Sequence, residues 1–147
     1  MIDELRSLFI SVAEELPSGC ARMNEFQSGD ATNIELIPSA PGAARVGVYV
    51  DQSELIDFWF GSGCTWELPS EGRDPRNFDP QAMIAEASEM LAAVVSGQCE
   101  EKRWLLGTTG IIYLSGQPHR VTDVFTRPTL FPRTIHYRPY VPEALQP

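Results

Sequence analysis

The chain has 147 residues, of which 43% are hydrophobic and 10% aromatic, so it can bury a core and is not disordered as a whole. Its formal net charge of −9 argues against a surface built to bind nucleic acid or an anionic membrane. No apolar run approaches the roughly 18 residues of a membrane-spanning helix, and the charged first residues do not resemble a secretory signal.

The cysteines and the basic residues bear on the compartment and the source. Cys20, Cys64 and Cys99 are widely spaced, which favours reduced thiols over disulfides or a zinc site. Of the 11 basic residues only Lys102 is a lysine, a bias typical of GC-rich bacterial genomes. We therefore expect one soluble, cytoplasmic, bacterial domain over residues 1–147, with no metal site and no cofactor.

Two segments have the three- and four-residue apolar spacing of one-faced helices. The first covers about Ile2 to Leu16 and ends at Pro17, because proline cannot continue the helical hydrogen bonds. The second covers about Pro80 to Ser96, with Asp79 as its N-terminal cap and Gly97 at a left-handed exit. We predict that both helices bury their apolar faces against a sheet.

Short runs rich in β-branched and aromatic residues lie between and after the helices and predict strands. They are Ala21–Gln27, Asn33–Ile37, Arg45–Val50, Leu55–Gly61 and Thr65–Leu68 before the second helix, and Glu101–Leu106, Ile111–Leu114 and Arg120–Phe125 after it. The predicted fold is α+β: an antiparallel sheet with two helices packed on one face, in the order helix, three to five strands, helix, two or three strands. The proline-rich residues 126–147 predict an extended C-terminal arm.

The charge is unevenly distributed along the chain. Residues 1–101 carry 18 acidic and 5 basic side chains, a net charge of −13, whereas residues 102–147 carry 2 and 6, a net charge of +4. Either the basic end packs against the acidic body, or an acidic surface stays open for a basic partner. The basic end also alternates with aromatic residues, as in proteins that bind single-stranded nucleic acid. The acidic body would repel such a ligand, so we expect no nucleic-acid partner.

The most enzyme-like segment is Gly61-Ser62-Gly63-Cys64-Thr65-Trp66, which is similar to the glycine-flanked cysteine of papain-like proteases. In those enzymes the cysteine begins a helix, which the following Pro69 prevents here, and neither His119 nor His136 lies in a motif. We therefore predict a glycine turn between two strands, a buried Cys64 that is not a nucleophile, and no catalytic residue.

Carboxylates and tryptophans surround the same strands. Asp57, within an apolar strand, and Glu67, beside Trp66, are the carboxyl groups whose pKa burial could raise. The candidate binding residues are Asp51, Glu54, Trp59, Trp66 and Glu67.

Two resemblances follow from these patterns. Phe58-Trp59-Phe60-Gly61 and Trp66-Glu67, ahead of a long helix that ends at Gly97, resemble small acidic immunity-type or uncharacterised domains of bacterial toxin systems. That resemblance implies acidic and aromatic side chains presented to a basic toxin. The size, acidity and element order over residues 1–115 resemble class I type III secretion chaperones, which are dimers that bind an effector segment, but those end in a helix.

The sequence thus favours a non-enzymatic domain that binds a basic protein partner through an acidic surface, and it leaves a homodimer open. The alternative is a small enzyme or ligand-binding domain with a pocket near Asp57, Cys64 and Glu67. A concave site with converging polar groups would favour that alternative.

Overall fold

The computed structural model describes residues 1–52, 56–68, 79–104, 107–122 and 133–141. Its helices and strands, in chain order, are α1 (Ile2–Glu15), β1 (Ala21–Ser28), β2 (Ala31–Pro38), β3 (Val46–Val50), β4 (Ile56–Phe60), β5 (Cys64–Leu68), α2 (Pro80–Val95), β6 (Cys99–Trp104), β7 (Gly107–Leu114), β8 (Gln117–Thr122) and β9 (Arg133–His136). The α+β class is confirmed, and every segment predicted as a helix or strand overlaps one of these elements.

The strands form two antiparallel sheets, where the sequence predicted one. The first sheet has the order β1-β2-β3-β4-β5, so each strand pairs with the next one along the chain. The second sheet has the order β8-β7-β6-β9. Its fourth strand, β9, lies within the predicted C-terminal arm and pairs with β6 from Glu100↔His136 to Arg103↔Arg133. Within the predicted arm, Arg133–His136 is therefore extended as a strand of this sheet, while residues 126–132 and 142–147 lie outside the described residues.

Both helices pack on one face of the first sheet, as predicted. Alternation along the strands directs one set of side chains, which includes Ile34, Val48 and Phe58, into the core. Leu5 and Phe9 of α1 are fully buried against this set, and Leu8 and Val12 pack partly buried beside them. On α2 the buried residues are Met83, Ala87, Met90, Leu91, Ala93 and Val94.

The predicted ends of α2 are present. The Asp79 carboxylate accepts a 3.0 Å hydrogen bond from the Gln81 amide, which supplies a partner for one of the open backbone groups at this terminus. Gly97 has φ +76, and a Cβ there would lie 2.6 Å from the Pro139 nitrogen, so both its conformation and the packed C-terminal chain require glycine.

Residues 133–141, within the basic C-terminal end, pack against the body. Tyr140 is fully buried, and its hydroxyl donates a 2.6 Å hydrogen bond to the Ala44 carbonyl oxygen. His136 Nδ1 lies 2.9 Å from the Glu100 carboxylate. The Tyr137 ring packs edge-on against Phe60, with centroids 6.2 Å apart. No helix within the described ranges is long and apolar enough to cross a membrane.

Candidate functional site

One face of the first sheet lies away from α1 and α2, and we call it the outer face. Because side chains alternate along a strand, the residues that do not enter the core point to this face. Cross-strand pairing arranges them in two rows, which are Phe26, Asn33, Tyr49, Asp57 and Glu67, and Asn24, Glu35, Gly47, Trp59 and Thr65. Among the described residues, no helix packs on this face: the side chains that the two helices bury contact the core face.

The outer face carries three aromatic side chains. Phe26 is 44% exposed, and Tyr49 and Trp59 are half-buried. The Trp59 ring lies against Gly47: a Cβ on that glycine would lie 2.6 Å from Trp59 Cζ2 and 2.7 Å from the Ile34 carbonyl oxygen. The glycine therefore determines where the indole rests. The sequence analysis missed Gly47 as a site residue, although a glycine inside a valine-rich strand is a known signal of close approach.

The end of the outer face nearest the β3–β4 turn is acidic. Asp57 and Glu67 are direct cross-strand partners, and Tyr49 lies next to Asp57 on the other side. Asp51 follows β3 at the same end and is exposed. Burial raises the pKa of Asp57 above its ordinary value, and the negative charges of Glu67 and Asp51 raise it further. We call Asp51, Asp57 and Glu67 the acidic end.

The middle of the outer face is neutralised internally. The Glu35 side chain is only 3% exposed, and its carboxylate pairs with the Arg45 guanidinium at 2.5 Å. The Asn24 side-chain amide donates a second, 2.8 Å hydrogen bond to the same carboxylate. The hydrogen-bonding capacity of the Glu35 carboxylate is thus used within the protein, and the negative charge that can contact a partner lies at the acidic end.

The structure separates the five residues predicted to bind a partner. Trp59 and Glu67 lie on the outer face, and Asp51 lies at its acidic end. Trp66 pairs with Phe58, and its side chain, 8% exposed, lies in the core, so it takes no part in the outer surface. Glu54 lies outside the described residues.

The three residues named for the alternative pocket do not point toward one another. Cys64 points into the core, whereas Asp57 and Glu67 point to the outer face, so their side chains lie on opposite sides of the sheet. An open cavity of about 360 Å³ contains Asp51, and another of about 440 Å³ lies between the end of α2 and the β7–β8 turn. None of the three residues lines either cavity. In the parts of the chain that the structure describes, no group of three or more His, Cys, Asp and Glu could hold a metal ion.

The glycine turn before Cys64 is held by a buried carboxylate that the sequence analysis did not identify. Glu101 is fully buried and accepts hydrogen bonds from the Ser62 amide at 2.6 Å and the Ser62 hydroxyl at 2.8 Å. Burial alone would raise the pKa of Glu101, but the bonds from Ser62, from the Tyr137 hydroxyl and from Arg103 together hold it below its ordinary value. A Cβ on Gly61 would collide with this carboxylate and would lie 2.5 Å from the Tyr137 hydroxyl oxygen.

These contacts make the turn a structural connection between the two sheets. Cys64 is buried beside it, and a Cβ added to Gly110 of β7 would lie 2.9 Å from Cys64 Sγ. Cys99 is also buried, and burial raises the pKa of its thiol to about 12, so it is uncharged at neutral pH. Whether Cys64 lacks nucleophilic reactivity stays a prediction.

Comparison of the chain with protein-family models, with curated proteins and with solved structures finds no match.

Proposed function

We propose that this chain is a protein-binding domain without catalytic activity, and that its outer face receives a basic protein partner in the bacterial cytoplasm. The observation that carries the proposal is the position of Trp59 beside Asp57 and Glu67 on a sheet face that no described helix covers. Tryptophan and tyrosine supply a large contact area at interfaces, and nearby carboxylates select a partner of opposite charge.

The acidic end gives the proposal an energetic basis. In the free protein, Asp57 and Glu67 are like charges directly opposite each other, an arrangement that destabilises a sheet. An arginine or lysine placed between them would replace this repulsion by attraction, so part of the binding energy comes from relief of repulsion already present. The arrangement favours a cation over any neutral ligand of the same shape.

The rigidity of the surface adds to the affinity. The outer-face residues lie on paired strands, and the Trp59 indole rests against Gly47. Little conformational entropy is then lost when a partner packs on the indole.

Two forms of this function follow from the resemblances found in the sequence. In the immunity-type form the partner is a folded basic toxin, and the outer face blocks part of its surface. In the chaperone-like form the partner is an extended effector segment. Hydrogen exchange separates the two, because a folded partner is already protected before binding and an extended segment becomes protected only in the complex.

The test uses a partner isolated by co-purification from the source cells and then purified. Replacing Trp59 by alanine should weaken binding by at least tenfold, because a half-buried tryptophan at the centre of an interface acts as a hot spot worth about 2 kcal/mol. The matched control is Thr65→Ala, which removes an exposed side chain of the neighbouring strand on the same face. Equal affinity of wild type and Trp59→Ala, with both fully folded, would refute the outer face as the binding site.

A further inference from the structure

The two large apolar side chains most exposed in the described part of the chain lie on either side of the same sheet edge. Phe26, 44% exposed, belongs to β1, which is the end strand of the first sheet. Ile10, 40% exposed, lies on α1 one turn after Arg6 and therefore on the same side of the helix. Arg6 Nη2 lies 2.8 Å from the Glu25 carboxylate of β1, so this side of α1 faces the edge strand.

Apart from two charged residues, Arg22 and Glu25, the edge strand lacks the features that block strand addition in the described part of the chain. β1 is eight residues long, contains neither proline nor lysine, and pairs with β2 in an unbroken register without a bulge. No described strand pairs with its outer side. An edge of this kind is able to form backbone hydrogen bonds with a further strand.

The charge around β1 favours a second copy of this chain as the occupant. Asp3, Arg6, Glu14, Arg22 and Glu25 contribute three negative and two positive charges, so the edge carries a net charge of −1 although the whole chain carries −9. Two copies can therefore approach here with little net repulsion. The basic partner proposed for the outer face finds little excess of acid at this edge, and the present inference is independent of that function.

We propose that two copies of the chain pair antiparallel through β1, around a twofold axis perpendicular to the first sheet at Asn24. This axis keeps each residue and its copy on the same side of the joined sheet, and residues that face each other across two strands must also point to the same side. The axis therefore lies between the two copies of a single residue, not between two neighbouring positions. Only axes at Asn24 and Glu25 pair seven of the eight residues, and an axis at Glu25 would place two Glu25 side chains in opposition, which is destabilising.

The Asn24 axis makes specific contacts. It places Arg22 of one copy opposite Phe26 of the other, twice, so each exposed aromatic ring receives a guanidinium. It also brings Ile10 of each copy next to the joined edge. The result is one continuous ten-stranded sheet with both outer faces on the same side.

Sedimentation equilibrium tests the pairing directly. The wild-type chain should have twice the monomer mass, and Phe26→Lys should raise the dimer dissociation constant at least tenfold, because it sets a lysine opposite Arg22. The exposure of Phe26 makes this variant compatible with folding, which circular dichroism verifies. The matched control is Thr65→Lys, which adds the same charge to the same face of β5, the strand at the opposite edge of the sheet. This control variant should stay dimeric. A monomeric wild type at every concentration, or a dimer that Thr65→Lys dissociates and Phe26→Lys does not, would overturn the proposal.

The register is tested by cross-linking with a short bismaleimide. Asn24→Cys should couple two chains, because its two copies face each other across the axis, while the native cysteines are buried and should react slowly. Thr65→Cys is the control and should give no covalent dimer. Coupling through Thr65→Cys, or none through Asn24→Cys, would contradict the Asn24 axis.

Discussion

Replacing Glu101 by alanine should destabilise the fold far more than the same change at its neighbour Glu100. Glu101 is fully buried and accepts four kinds of hydrogen bond, from the Ser62 amide, the Ser62 hydroxyl, Tyr137 and Arg103. A hydrogen bond to a charged group contributes about 1.5–3 kcal/mol. Ser62 and Arg103 are exposed and can be solvated when released, so we count only the Tyr137 bond fully and expect a loss of about 2 kcal/mol.

Glu100 is a stringent control because it is also a buried glutamate on β6 and points to the opposite face of the strand. Its partners are His136, 76% exposed, and Lys102, 34% exposed, and the Lys102 ammonium is 3.6 Å away. Ion pairs with such exposed partners contribute about 1 kcal/mol or less. Urea unfolding followed by circular dichroism gives the free energy of unfolding of both variants.

The pH dependence of the same variants gives an independent readout. Because the folded-state pKa of Glu101 lies below its ordinary value of 4.5, its contribution to stability is present above pH 4.5 and is lost as pH falls through the folded pKa. The stability difference between wild type and Glu101→Gln should therefore shrink in acid. A loss below about 1 kcal/mol for Glu101→Ala, or an equal loss for Glu100→Ala, would refute this account of the connection between the sheets.

Two further predictions concern the outer face. Gly47→Ala should destabilise the fold by roughly 1–3 kcal/mol, since a Cβ would collide with Trp59 and the Ile34 carbonyl. The fluorescence emission of Trp59 should also shift as the indole moves into solvent. Unchanged stability and emission would contradict the close approach of Trp59 to Gly47. Asp57→Asn should raise the free energy of unfolding at pH 7 by about 0.5 kcal/mol, because the raised pKa of Asp57 means that its charged form opposes folding. This gain should vanish below pH 3.8, where the wild-type carboxyl is protonated in both the folded and the unfolded protein. A variant that is less stable than wild type at pH 7 in thermal unfolding would show that Asp57 makes a net favourable contact.

Local sequence patterns predicted most of the helices and strands. The features that they missed depend on pairing between residues far apart in the chain. The helices follow from apolar spacing, Asp79 and Gly97, all of which act within a few residues. The strand β9 depends instead on pairing with β6, about 30 residues earlier, and the prolines around it favoured the prediction of an extended arm. The buried role of Glu101 depends on Ser62, 39 residues away, and no local pattern carries that information.

The candidate site was predicted in part for the same reason. Trp59 and Glu67 were identified from their residue types and their place in the strands. Trp66 was misassigned to the surface although the local pattern places it in the core: β5 alternates buried and exposed residues, and Trp66 belongs to the buried set with Cys64 and Leu68. Gly47 acts through the indole of the neighbouring strand, a contact that only the pairing reveals.

The most direct test of the proposed function compares two charge variants of equal size on opposite sides of the molecule. Asp57→Asn with Glu67→Gln removes two negative charges from the acidic end. Glu14→Gln with Glu15→Gln removes two exposed negative charges from α1, on the far side of the first sheet. The association rate with the purified partner is measured by stopped flow over a series of salt concentrations.

We expect the outer-face variant to associate roughly tenfold more slowly at low salt and to show a weaker salt dependence, because steering by charge acts on the on-rate and is screened over about 10 Å at 0.1 M salt. The α1 variant should associate at nearly the wild-type rate. Equal slowing by both variants would show that only net charge matters, and no slowing by either would contradict a basic partner at the outer face.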